Sequence, residues 1–468
     1  MYGVNNSLDI FFGSNTINFI IASIASSSIN FAVTPFFFNY YNDKAKLFAF
    51  ASNIFNVFLL LFISIAITQF IFADIIVKSL LPGFSLTNLE LTTKLFRYQA
   101  FLSIITILSS ILTSLHYTFG NLYRTIIYPT IGTVFQIVFV WLMSYEYGLF
   151  ALLYGLMISQ CINFILLSFP FIREYKFILK IDHNVKDLFS KIIPLLISSS
   201  FSKSNIIFDR FFLSKLQEGS MTILQYGEKI VRIISSLLNQ GISIVTLTKF
   251  SLYQNKDNEF QYMFYSIFKH LTFIICPVLM ISINYSEDFF EILNLSNKIS
   301  SANIKNIHNT FIAFFGILVG GSYSSNMANA FYAKGLTKII SKTTVLIQSL
   351  GFVLKFILFL KFGFWGLPIG ASVVSIINAI VLYYLYYKYI FEYSLKILCN
   401  YFLKILLISI AALFFVEILK IPTFEFSLFN SIINSISYLC MFLFFSLIFE
   451  KDVSTSILRK IKLNFKIW

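Results

Sequence analysis

Apolar residues gather in long blocks along the chain, broken by short runs of Gly, Pro, Asn and charged residues. The blocks are too long for strands, and most reach the ~20 residues that cross a bilayer as a helix. They predict thirteen helices, over 9–38, 47–72, 94–116, 126–144, 148–170, 188–215, 221–249, 261–284, 306–333, 338–360, 365–389, 400–420 and 427–449. The longest connections fall near 73–93, 171–187 and 285–305, and none is long enough for a soluble domain.

Composition turns this pattern into an exclusion. Of 468 residues, 57% are hydrophobic and 12% charged, the latter about half of the roughly 25% usual in soluble domains. Mean hydropathy is +0.80. A soluble enzyme or binding module of this size cannot keep so much apolar surface from water, so the fold class is an all-α polytopic membrane protein. Net charge is +14, but Lys and Arg are scattered among the loops, which argues against a nucleic-acid partner. The 58 Phe and 26 Tyr, beside many Ile, Asn and Lys, match the bias of an AT-rich genome and imply no function by themselves. Cys161, Cys276, Cys399 and Cys440 lie far apart without a CxxC pair, so they read as packing residues and not as a metal site. No cofactor motif is evident, and no P-loop is present for ATP.

Loop charge sets the orientation. The loops after the odd-numbered segments, with the C-terminal tail, carry about 19 Lys/Arg; the others carry about 7. Lys44, Lys46, Arg124, Arg173, Lys176, Lys180 and the tail's Arg459, Lys460, Lys462 and Lys466 therefore mark the cytoplasmic side, with the C-terminus inside.

An internal repeat is also legible. Tyr117-Thr118-Phe119-Gly120 is echoed by Tyr332-Ala333-Lys334-Gly335, and Gly148-Leu149-Phe150-Ala151-Leu152-Leu153-Tyr154-Gly155 by Gly363-Phe364-Trp365-Gly366-Leu367-Pro368-Ile369-Gly370, both at an offset of 215. Thr34-Pro35-Phe36 recurs as Thr248-Lys249-Phe250 at 214. A common offset implies two parallel lobes: an N-terminal lobe over 1–172, a cytoplasmic linker over 173–187, a C-terminal lobe over 188–392, and two added helices with a basic tail over 393–468. The second lobe has six predicted helices and the first five, so the repeat predicts one helix ahead of residue 1, which would also restore a cytoplasmic N-terminus.

Short motifs then carry a resemblance. Tyr2-Gly3 with Asp9-Ile10-Phe11-Phe12, Leu81-Pro82-Gly83-Phe84 followed by Arg97, and Asp209-Arg210, Gly219-Ser220 and Tyr226-Gly227-Glu228-Lys229 resemble the MurJ/MviN branch of the multidrug/oligosaccharidyl-lipid/polysaccharide exporter superfamily. The likeness runs over nearly the whole chain. It implies two pseudo-symmetric helical lobes around a central cavity plus two C-terminal helices that hold a lipid tail. It also implies a flippase, not an enzyme, for an undecaprenyl-pyrophosphate-linked glycan such as lipid II, in the bacterial inner membrane. Lys229 falls where that family places a cavity arginine. The family's first helix is missing here, and Ile20-Ile21-Ala22-Ser23 stands where it has a basic pair.

Charges in spanning helices are costly, so each needs a reason. Glu228 and Arg232 are i, i+4 and fit an ion pair; Lys229 points elsewhere and is read as the principal substrate cation, with Arg232 and Lys203 beside it. A structural pair with a snorkelling lysine is the alternative. Asp209 and Arg210 fit either an interfacial pair or a gate. Asp9 fits either a pairing group between lobes or a helix cap. Asn15 and Asn18 could line a sugar site, and Asn326 and Asn329 form a polar stripe equally suited to packing. Lys269-His270 is read as a proton site or a structural pair. The implied partners are a lipid-linked oligosaccharide, membrane lipids and a coupling ion, H+ or Na+. Competing readings are an O-antigen or capsule flippase, a drug/cation antiporter of the same superfamily and an inactive remnant. The mid-membrane cations argue against the antiporter, and the short external loops argue against a membrane enzyme.

Overall fold

The computed structural model describes residues 3–253, 255–291, 299–391, 395–418 and 427–450. Tyr2, Lys298, the basic tail beyond 450 and the side chains of Ser198 and Ser202 lie outside the described residues. The described chain forms α1 (Asn6–Asn39), α2 (Lys44–Ile71), α3 (Ala73–Leu80), α4 (Leu86–Thr118), α5 (Leu122–Tyr147), α6 (Leu149–Ile172), α7 (His183–Leu213) and α8 (Ser220–Leu252). It continues through α9 (Asp257–Asn284), α10 (Ser286–Glu291), α11 (Ser301–Ala313), α12 (Phe315–Ala333), α13 (Thr337–Phe362), α14 (Gly366–Tyr389), α15 (Leu395–Ile418) and α16 (Ser427–Phe449). Among the described residues, ten helical stretches are long and apolar enough to cross a membrane, one of them (Thr337–Tyr389) being the α13–α14 pair. The chain is a polytopic all-α membrane protein. Helices α7 and α8 are as long as these spans.

Two of the three long connections are largely helical. The segment 73–93 holds α3 and the first two turns of α4, which Ser85 caps through Asn88 N–H at 3.3 Å. The segment 285–305 holds α10 and the start of α11, capped by Ser300 through Asn303 N–H. The predicted helix 306–333 is broken at Phe314. Ser372 of α14 enters the break: its hydroxyl donates to Ala313 O and accepts from Gly316 N–H at 3.1 Å, satisfying groups that an unbroken ladder would pair internally. The α12–α14 seam is close because it is built from small residues; a Cβ on Gly320 would lie 2.4 Å from the Ser375 backbone.

The repeat reappears as geometry. Both α2 and α9 have 28 residues, α5 and α13 have 26, and α6 and α14 have 24. The 33-residue α4 matches the combined reach of α11 and α12, 301–333. Helices α4 and α12 end in the same Schellman turn. Gly120 (φ +71°) and Gly335 (φ +73°) follow the caps, and Asn121 N–H→His116 O and Leu336 N–H→Phe331 O each measure 2.9 Å.

The chain forms two compact units, Met1–Thr222 and Ile223–Trp468. The sequence-based boundary falls at 173–187, whereas packing divides the chain later, after α7. The reason is local: α7 lies along α1, and its Val185, Leu188 and Ile192 join the buried cluster of Ile29, Phe37, Leu47, Ile54 and Ile107. Helix α4 is the central helix of the first unit, and α5 is its most exposed span. In the second unit α15 and α16 pack on α9 through Cys276, Ile405, Tyr438 and Phe442.

Candidate functional site

The strongest charged set sits on α8. Gly227 lets that helix approach α11 closely, since a Cβ there would be 2.8 Å from Thr310. Leu224 and Val231, on the same face, are each 1% exposed. The opposite face turns Lys229, Arg232, Ile233 and Leu237 outward from the second unit. Arg232 Nε donates to Glu228 Oε1 at 2.7 Å, and a second guanidinium nitrogen reaches the same oxygen at 2.5 Å. The predicted i, i+4 pair is therefore formed, with Glu228 the more buried partner. Lys229 is exposed and makes no ion pair with another described residue. This face offers an ammonium and a partly neutralised guanidinium, groups suited to a phosphate anion.

Farther along α8 the polar residues serve packing. Asn239 donates to Ser322 Oγ at 3.0 Å. Thr246 donates to Asn326 Oδ1 and accepts from Asn329 Nδ2, both at 3.0 Å. Asn326 and Asn329 are thus buried in an α8–α12 hydrogen-bond zipper.

The first unit distributes its polar groups differently. Asn5, not Asp9, caps α1, accepting from Leu8 N–H. Asp9, 3% exposed, instead accepts from Gly219 N–H at 2.6 Å, Thr222 N–H at 2.8 Å and Thr222 Oγ1 at 2.7 Å. It caps the start of α8, where free N–H groups and the helix dipole favour an anion. Arg210 is also buried and donates from Nε to Thr16 Oγ1 at 3.2 Å. Asp209 and Lys203 are half-buried on α7. Asn18 donates to Phe96 O at 3.3 Å and accepts from Gln69 Nε2 at 3.1 Å, so it ties α1 to α4 and α2. Asn15 is half-buried.

Some polar partnerships were not anticipated. Arg97 pairs with Asp74 of α3 at 2.6 Å. Lys269 and Lys404 flank Glu450 at 3.5 and 2.5 Å, and Lys269 also lies over the Tyr265 and Tyr401 rings. The sequence assigned Glu450 to the tail, where nothing signals that two lysines of other helices enclose it. His270 Nδ1 lies 2.6 Å from Ser266 O within its own helix.

Comparison with known proteins adds to this geometry. The chain is 23% identical over 456 residues to a probable lipid II flippase MurJ of Buchnera aphidicola subsp. Schizaphis graminum, covering 93% of this chain and 88% of the relative. It is 23% identical over 409 residues to the probable lipid II flippase MurJ of Vibrio cholerae serotype O1, covering 82% and 77%. Its fold is similar to that of a lipid II flippase MurJ in an inward closed conformation, with TM-score 0.82 and 22% identity over 96% of this chain and 94% of the other. An inward-facing multidrug resistance MATE transporter of the MOP superfamily shares the fold at TM-score 0.71 and 14% identity, covering 82% of this chain and 90% of that one. The family profile described as "Lipid II flippase MurJ" matches residues 1–437. With that match over nearly its whole length, the chain belongs to the MurJ lipid II flippase family.

Proposed function

We propose that the chain moves an undecaprenyl-pyrophosphate-linked glycan, a lipid II-like peptidoglycan precursor, from the inner to the outer leaflet of the bacterial inner membrane by alternating access. Family membership supports the class of cargo. The observation that supports the site is the outward face of α8, where Lys229 and Arg232 are exposed beside Ile233 and Leu237. A pyrophosphate gives such cations a partner, and charge-assisted contacts hold it through the crossing. Lys203 of α7 is assigned to the same task, with Glu228 moderating Arg232. Asp9 and Arg210 serve to hold the helices, and Asn326 and Asn329 to pack them. Membrane potential or an H+ or Na+ gradient drives the cycle, and the C-terminus lies in the cytoplasm, a placement that the loop charges support.

The test is complementation in a strain depleted of its own lipid II flippase. The chain should restore growth, Lys229→Ala should abolish the rescue at equal membrane abundance, and Lys229→Arg should restore part of it. Failure of the well-expressed parent chain, beside rescue by the Vibrio relative, would overturn lipid II as cargo. Rescue by Lys229→Ala would overturn the site.

A further inference from the structure

The connector between α6 and α7 is an ordered extended segment held against α2. Lys180 uses both backbone groups on one side chain: its N–H donates to Asn53 Oδ1 and its carbonyl accepts from Asn53 Nδ2, each at 2.8 Å. Asn56 donates to Ile178 O at 2.9 Å, and Lys176 N–H donates to Ser52 Oγ at 3.2 Å. The Tyr175 hydroxyl donates to Asn56 Oδ1 at 2.6 Å. Ser52, Asn53 and Asn56 are 0%, 4% and 1% exposed. Three side chains of a helix thus do for this segment what a neighbouring strand does in a sheet.

Along 176–181 only Ile178 is half-buried, and its neighbours on both sides are exposed. Phe177, Leu179 and Ile181 are 76%, 48% and 69% exposed. They make an apolar row of period two, beside the exposed Lys176 and Lys180.

Two helices fix the level of this row in the bilayer. From Ile54 to Ile71, α2 carries no charged residue, a stretch of about 27 Å at 1.5 Å per residue and close to a hydrocarbon thickness of ~30 Å. Lys44 and Lys46 stand in its first turn, so the Ser52–Asn56 stretch marks where α2 enters the membrane. The α6 span ends at Ile172, with Arg173 immediately after it. Both helices place the connector at the membrane–water boundary. Glu174 and Asp182 are also exposed there, but Arg173, Lys176 and Lys180 outnumber them, and Asp182 is engaged in capping α7 through Val185 N–H.

We propose that the connector is an interfacial anchor for anionic phospholipid. Phe177, Leu179 and Ile181 enter the acyl boundary, and Lys176 and Lys180 hold headgroup phosphates. The ladder to α2 lowers the cost of this position, since it pairs Lys176 N–H, Ile178 O and both backbone groups of Lys180 away from the lipid. The inference is independent of the cargo.

The experiment places a nitroxide at residue 177, 178 or 181 of the full chain, after Cys161, Cys276, Cys399 and Cys440 are changed to Ala. The protein is reconstituted in phosphatidylcholine vesicles with and without phosphatidylglycerol. Labels at 177 and 181 should collide with oxygen in preference to a water-soluble nickel complex, and the label at 178 should be protected from both. Phosphatidylglycerol should slow the labels at 177 and 181, and Lys176→Gln with Lys180→Gln should remove that response. Water-like collision at 177 and 181 overturns the proposal. So does protection from both reagents, which would point to a protein partner, and so does indifference to phosphatidylglycerol. Should the cysteine-free chain fail to fold, Phe177→Trp in the parent chain, read against the parent by quenching with brominated lipids, decides the same question: no added quenching overturns it.

Discussion

Helices α1 and α8 occupy matching places in the repeat, 214 residues apart, and handle polarity in opposite ways. Ser14, Asn15 and Asn18 of α1 stand where α8 has Glu228, Lys229 and Arg232. At these three positions α1 is small and uncharged, with Ser14 and Asn18 buried and Asn18 bonded to neighbouring helices. In α8 they are long and charged, and the cations are exposed. A helix inside a membrane protein uses an amide to bind another helix, because both amide groups can be satisfied there at short range. A cation left on an exposed face needs a different reason. The contrast separates polar residues that bond to neighbouring helices from cations turned outward, the ones proposed above to meet a ligand, although both look alike in a sequence.

The comparison can be broken in order of expected size. Asp9→Ala should be the most damaging change, because it removes the acceptor for three hydrogen bonds at the start of α8 and the carboxylate that attracts buried Arg210. A loss of about 3–5 kcal/mol is expected from breaking a buried charged network, read as a lowered unfolding temperature in detergent; Asp9→Asn should recover part of it. Lys229→Ala should do the reverse, leaving that temperature unchanged while slowing transport at least tenfold, equivalent to about 1.4 kcal/mol. Thr246→Val should cost about 1–3 kcal/mol by leaving Asn326 and Asn329 without a shared hydroxyl, with little effect on cargo affinity. Glu228→Gln should change stability by less than ~1 kcal/mol, since Arg232 is largely exposed. Its effect should appear as an altered salt dependence of transport.

Much of the fold was readable because a membrane imposes long apolar blocks and duplication preserves turn glycines. Gly120 and Gly335 show both, being matched in sequence and in backbone angle. Helices α3 and α10 were missed because one or two turns bearing charge resemble a loop. The break at Phe314 was missed because its cause, Ser372, lies in another helix. The Glu228–Arg232 pair was readable because its spacing is local. Asp9 with Thr222 was not, since those residues meet only after the chain folds. The ladder on Ser52, Asn53 and Asn56 escaped for a related reason: an Asn in an apolar helix gives no sign of whether it faces a helix, a ligand or a strand-like connector.

The ladder also bears on the timing of synthesis. All its partners precede residue 181, so it can form while the later helices are still being made. At about 5–20 residues per second those take roughly 15–60 s more. Nascent chains stalled near residue 250 should already resist trypsin at Lys176 and Lys180, and Asn53→Ala should make them sensitive. The connector would then be fixed while the ribosome is still making the second half of the protein.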